Sequence, residues 1–348
     1  MIDMLTSKPK PQDMDICHKK GRILIPDLFY APILNPLLHM VIGHKVDNRI
    51  LRELARGILR FLRSSDSTGC ALSITPWLRH IAPDIFRYTP IIKEHKHLID
   101  LFLKEIQEHK ANFSDDYHAD LTDVYLRKIK EVNDDKEDCT TFTEKQLLWT
   151  LIDYIFPTPV TIGQTLNYVW AYLLNYPEIQ VKIQEEIDII VGRCRLPNLD
   201  DRKNMPYTKA VIRETLRKDP INPLGIPRRC TQDTMLRGYF IPKDTIVLPH
   251  LWSAGHDPKI WKDPEDFKPE RFLDTNGNLL KKDYTFGFGA GKRVCAGETF
   301  SRQVMFLFVS GLLQNFTFRA VDKVPDPQEK IWGMLLGIAD VWVEAVSR

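Results

Sequence analysis

Apolar residues recur at helical spacing over 48–63, where Ile50, Leu51, Leu54, Ile58, Leu59 and Leu62 fall on one face, and again over 91–110. Both segments predict helices. Polar, acidic stretches at 112–120 and 132–138 flank a shorter helix predicted over 121–131. Thr143-Glu144-Lys145-Gln146 fits a capping box, and Trp149, Ile152, Ile155, Leu166, Val169 and Leu173 behind it predict one long central helix over 143–175. Pro157 and Pro159 fall inside that helix. Each removes a backbone donor and crowds the preceding turn, so the helix is expected to bend or open there.

Pro177 and Pro206 are placed to open helices over 178–191 and 207–218. From Pro220 to Leu251, prolines and Gly238 punctuate short apolar runs, which predicts a few short strands and turns. An amphipathic helix is predicted over 298–316. The expected class is mainly α with a small β part, without repeats.

Composition narrows the function. A chain of 348 residues, 43% hydrophobic, folds as a globular protein. Its 48 basic and 46 acidic residues nearly cancel to +2, so no nucleic-acid partner is expected. Cys17, Cys70, Cys139, Cys194, Cys230 and Cys295 are scattered with no C-x-x-C pair, which fits reduced thiols in a cytosol-facing protein. No apolar stretch follows the charged first twenty residues, and those at 23–42 and 305–313 are short or broken. Neither a signal peptide nor a membrane anchor is expected in this chain.

The sharpest chemical signal is Phe288-Gly289-Ala290-Gly291-Lys292-Arg293-Val294-Cys295-Ala296-Gly297, directly before the helix predicted from Glu298. At a helix start, free backbone N–H groups and the positive dipole end favour a thiolate, the form that ligates metal. Gly291 and Gly297 would let backbone approach a flat cofactor, and Arg293 offers a cation to a carboxylate. A lone cysteine beside a glycine turn is usually structural; five matched positions before a helix are not. Glu214 and Arg217, at i and i+3, share a helix face. Such a pair alone is an ordinary surface pair. Pro269-Glu270-Arg271-Phe272 alone is a loop.

Taken in order, F-x-x-G-x-R-x-C-x-G around Cys295, E-x-x-R at Glu214 and Arg217, and the Arg271 segment between them resemble the cytochrome P450 family of microsomal eukaryotic type. The resemblance is clear from about Pro76 onward and weak before it. It implies an amino-terminal helical segment at 1–75 and a haem-binding core at 76–348, with the central helix at 143–175 and the haem loop at 286–297. By resemblance, Cys295 is the axial ligand of haem b, with Phe288, Gly291 and Gly297 in the cofactor loop. Glu214, Arg217 and Arg271 would form a buried structural triad, and Arg228 and Arg293 would hold the haem propionates. The implied activity is insertion of one oxygen atom from O2 into a lipophilic small molecule, with electrons from an NADPH-dependent reductase. The implied location is the cytosolic face of the endoplasmic reticulum membrane. Phe86, Ile155, Leu224, Ile226 and Trp332 are candidates to line the substrate pocket.

Two departures stand out. Where the family carries small-Gly-x-acid-Thr for proton delivery, this chain reads Pro157-Thr158-Pro159-Val160-Thr161: Thr161 is kept as candidate catalytic residue, and Val160 replaces the acid. The family's W-x-x-x-R helix also has no match, because the tryptophan at 77 is followed four residues on by Ile81. The amino-terminal part of the fold, anchor included, is therefore expected to be missing. These departures leave open a reductase-independent rearrangement enzyme, or a truncated remnant that binds no haem.

Overall fold

The protein's structure, a computed structural model, describes residues 17–18, 22–64, 72, 75–86, 88–114, 120–134, 141–321 and 323–348. Cys70 and Cys139 lie outside them. The helices described first are α1 (Asp27–Ile42), α2 (Asn48–Ser64), α3 (Tyr88–Ala111) and α4 (Leu121–Asp134). The central segment is two helices rather than one bent helix, α5 (Glu144–Ile155) and α6 (Thr158–Asn175). Thr143 Oγ1 accepts from Gln146 N at 3.1 Å and starts α5 as its capping sequence requires. Pro157 and Pro159 have no N–H to offer Asp153 and Ile155, and Thr158 Oγ1 donates to the Tyr154 carbonyl at 2.5 Å across the break.

α7 (Pro177–Ile190) and α8 (Pro206–Lys218) follow, then α9 (Leu251–His256) and α10 (Glu298–Asn315). α10 stops one residue before the predicted end because Phe316 is already extended.

The strands are short. β1 (Cys17–His18), β2 (Arg22–Ile25), β10 (Val341–Ser347) and β7 (Phe316–Ala320) form one antiparallel sheet in the order β1-β2-β10-β7. β3 (Arg228–Arg229) pairs with β6 (Ile246–Val247), β4 (Thr234–Leu236) with β5 (Tyr239–Ile241), and β8 (Lys330–Ile331) with β9 (Gly337–Ile338). In the larger sheet Val341 faces Ile25 and Val343 faces Ile23, so the two-residue period of each strand sends these residues inward with Phe316 and Phe318. Glutamines from α7 cover the edge strand β7: Gln180 pairs with both the N–H and the carbonyl of Phe318, at 2.7 and 3.2 Å, and Gln184 donates to the Phe316 carbonyl at 3.1 Å.

α6 is buried on every side from Ile162 to Leu174, which is why its sequence is apolar almost without a polar stripe. Trp170 lies at its centre, 5.2 Å from the Phe29 ring and edge-on to Phe318 at 5.5 Å. A second core joins α1 to α5, with Leu38, Leu51, Phe102, Leu126, Leu151 and Ile155 inside it, and Phe300 of α10 touches both cores.

Where α1, α3 and α4 meet, the packing is polar. Gly43 ends α1 with φ +74°, and a Cβ there would come within 2.6 Å of Asp120 Oδ2, so only glycine fits. Asp120 caps α4 by accepting from Asp123 N at 3.0 Å and receives His109 Nε2 at 2.9 Å, while His109 Nδ1 meets the Glu105 carbonyl at 2.7 Å. With acceptors at both ring nitrogens, the imidazolium is the form that serves both. Burial opposes that charge, but the bond to Asp120 and then the Glu105 carbonyl outweigh it, and the pKa of His109 rises above 6.5.

Two outcomes follow from this packing. Trp170 Nε1 is buried without a partner. Trp170→Phe should therefore shift the urea midpoint little, since removing an unpaired donor recovers about 1 to 3 kcal/mol against the lost packing, whereas Trp170→Ala should cost about 3 to 5 kcal/mol. The raised pKa of His109 gives stability that is complete below 6.5 and is lost as pH climbs through the raised value. Urea midpoints measured from about pH 6 to about pH 8.5 should fall, and His109→Gln should flatten that part of the profile.

Candidate functional site

The site is anchored on α8. Glu214 and Arg217 are both buried, and the guanidinium grips the carboxylate with two bonds, Nε to Oε2 at 2.7 Å and Nη2 to Oε1 at 2.9 Å. Arg271 Nε adds a third at 3.0 Å and the Lys268 amide a fourth at 2.8 Å. What these arginines do not give to Glu214 they give to backbone. Arg217 donates to the carbonyls of Gly255, Pro264 and Asp266, and Arg271 to those of Lys262, Asp263 and Asp266. Segment 255–272 is thereby fixed to α8, with Gly255 so close that a Cβ would lie 2.3 Å from the Arg217 carbonyl oxygen. The three residues expected to meet do meet.

The cysteine loop leaves this anchored segment. Gly287 runs against α8, where a Cβ would sit 3.5 Å from the Leu216 carbonyl oxygen. Cys295 N donates to the Phe288 carbonyl at 2.9 Å, and Glu298 N to the Cys295 carbonyl at 3.3 Å, closing the loop at the start of α10. Gly289 and Gly291 hold φ of +76° and +72°, the left-handed region that favours glycine. Gly297 does not: its φ is −87°, and a Cβ there would make an ordinary 3.8 Å contact with Cys295 Sγ. Its role therefore requires no special backbone. The Phe288 ring packs against the main core and lies under the Arg302 guanidinium at 4.8 Å.

Cys295 is a free, exposed thiol. Arg228, on β3, reaches the same loop and donates from Nη2 to the Arg293 carbonyl at 3.5 Å. Among the described residues neither Arg228 nor Arg293 has an acid partner. An accessible thiol with two arginines free to take carboxylates is the donor set that a haem with its propionates requires, so these residues fit that group.

Thr161 is half-buried near the start of α6, and its hydroxyl turns back to the Thr158 carbonyl at 3.4 Å. Val160 beside it is fully buried with Ile58 and Leu62 of α2, against Met334 and Leu335. A carboxylate placed there would be desolvated without a partner. The turn after β8 is tied to two other parts of the chain, with Leu336 N donating to the Ile221 carbonyl at 2.7 Å, and Met334 N to the Leu62 carbonyl at 2.8 Å. The named apolar candidates do not converge: Ile155 is inside the second core, while Ile226 and Trp332 are exposed.

Sequence reasoning missed Leu62 and Ile58, which α2 brings to Val160, and Asp219, which receives both the Tyr172 hydroxyl and the Lys330 ammonium. Only tertiary contact links those three positions.

The Cytochrome P450 family model matches residues 31–340. The chain belongs to the cytochrome P450 family. It is 36% identical over 317 residues to farnesoate epoxidase of Bombyx mori, covering 90% of this chain and 63% of that relative. It is 34% identical over 293 residues to cytochrome P450 2B9 of Mus musculus, covering 83% and 59%. With cytochrome P450 2U1 of Rattus norvegicus the identity is 37% over 307 residues, 86% and 56%. The chain thus spans about three-fifths of the length of these relatives. No helix among the described residues of this P450 chain is long and apolar enough to cross a membrane.

Glu214→Gln should destabilise the protein by about 3 to 5 kcal/mol, because it leaves two arginines around a neutral group in a buried site. The denaturant midpoint measures it, and a cost under about 1 kcal/mol would mean that the backbone carbonyls alone hold the arginines.

Proposed function

We propose that this chain carries the catalytic site of a haem-thiolate monooxygenase with Cys295 as the axial ligand of haem b. The accessible Cys295 thiol at the head of α10, with Arg228 and Arg293 beside it and the Glu214 network behind it, supports this reading. When bound, the haem supplies the activation of O2 with electrons from an NADPH-dependent reductase. The chain's own residues do the rest. Arg228 and Arg293 would hold the propionates, Phe288 and Gly291 shape the loop that carries Cys295, and Gly297 starts the helix that follows it. Thr161 holds a proton at Oγ1, and Val160, in the family's acid position, keeps its surroundings apolar. The core at 76–348 would be the haem-binding unit, acting at the endoplasmic reticulum membrane.

The substrate in this reading is a lipophilic small molecule. The apolar cluster of Val160, Ile58, Leu62, Met334 and Leu335 beside Thr161 is compatible with it. The relative named farnesoate epoxidase is in keeping with such a substrate.

The burial of Val160 favours a second reading on the same fold, a rearrangement that needs no reductase and little proton delivery. Substrate-dependent consumption of NADPH in the presence of a reductase separates the two.

Haem-loaded protein, reduced and exposed to CO, should show the red-shifted Soret band of thiolate ligation, and Cys295→Ala should abolish it. If the band survives Cys295→Ala and is lost on replacing another cysteine, the ligand assignment is wrong.

A further inference from the structure

On the side of α8 facing α10 there is a cavity of about 190 Å³, separate from the exposed Cys295 thiol. Its charged lining consists of Arg202, Lys209, Arg213 and Arg302 against Asp283 and Glu298, four cations facing two acids. Both acids are already engaged. Asp283 receives Arg213 Nε at 3.2 Å and lies 3.7 Å from Arg302 Nη2, and Glu298 receives Arg302 Nε at 2.8 Å. Among the described residues, Arg202 and Lys209 make no ion pair. Glu186, whose charge bears on Lys209, has its carboxylate occupied by the Tyr207 and Thr208 amides and the Thr208 hydroxyl.

The surplus is therefore two positive charges, half-buried around a space large enough for a small ion. Burial, and after it the neighbouring cations, weakens the hold of both Arg202 and Lys209 on their protons. A dianion in the cavity would relieve both effects, and a tetrahedral oxyanion suits the forked donor of Arg202 together with the point charge of Lys209, Arg213 being already held by Asp283 and by the Leu280 carbonyl at 2.9 Å.

We propose that this cavity is a binding site for a phosphate group, carried as inorganic phosphate or on a small phosphomonoester. The site is placed to bear on the cysteine loop, because Asp283 precedes that loop, Glu298 follows it, and both border the cavity. The bound group would tie the first turn of α10 to α8 and to the short turn Asp201–Asn204 that carries Arg202.

Calorimetric titration of the full chain with inorganic phosphate, and separately with glycerol 3-phosphate, at constant ionic strength tests the proposal. Saturable one-to-one binding of at least one of the two is expected, with the tighter ligand showing whether the group is taken free or esterified. Arg202→Gln and Lys209→Gln should each weaken it about tenfold or more, and Arg202→Lys should retain most of it. Neither side chain has an ion pair to break, so both glutamine variants should keep the parent's circular dichroism and unfolding midpoint without phosphate. With phosphate present, the midpoints of the parent and of Arg202→Lys should rise substantially, and those of the glutamine variants much less. Absence of saturable binding for both compounds, or unchanged affinity in both glutamine variants, overturns the proposal.

Discussion

The carboxylate of Glu214 is the fixed point of the carboxy-terminal half. A lone carboxylate in that position would be desolvated at a cost of several kcal/mol. It is stable there because two guanidiniums and an amide surround it. The arginines in turn need acceptors, and six bonds to carbonyls of 255–266 supply them, so that a stretch with almost no regular structure of its own acquires one position relative to α8. The loop carrying Cys295 starts from that stretch. Such a network is weak evidence for stability relative to an apolar core, but it fixes a geometry that apolar packing would leave adjustable.

The same half shows how two chemical tasks are kept apart. Arg217 and Arg271 are engaged by protein acceptors, whereas among the described residues Arg228 and Arg293 have none that are acidic, and Arg202 and Lys209 face a cavity. The cations with protein partners hold the framework. The break between α5 and α6 is built differently. There the prolines end one helix and begin another, and Val160 is taken into a small apolar cluster with α2 and the turn after β8. A valine at position 160 is thus matched by its neighbours, as burial of an apolar side chain requires.

The sequence by itself determined the helical class, because apolar periodicity and proline positions are local signals: α2, α3, α7 and α8 lie within a few residues of where the pattern puts them. It also determined the cysteine loop and the E-x-x-R pair, since a contiguous motif before a helix keeps its spacing in any fold. What it could not decide was whether Glu214 and Arg217 face solvent or each other in a dry interior, since i and i+3 spacing is the same in both cases. Likewise Pro157 and Pro159 announced a disruption without saying whether the helix would bend or divide. Tertiary structure decided these points, and it alone brought Leu62 to Val160, Lys330 to Asp219, and Arg202 to Arg302. Their separations along the chain carry no pattern; only the packing of α2, α6, α8 and α10 makes them neighbours, because burial and charge pairing are set by what lies across a contact and not by what precedes it in the chain.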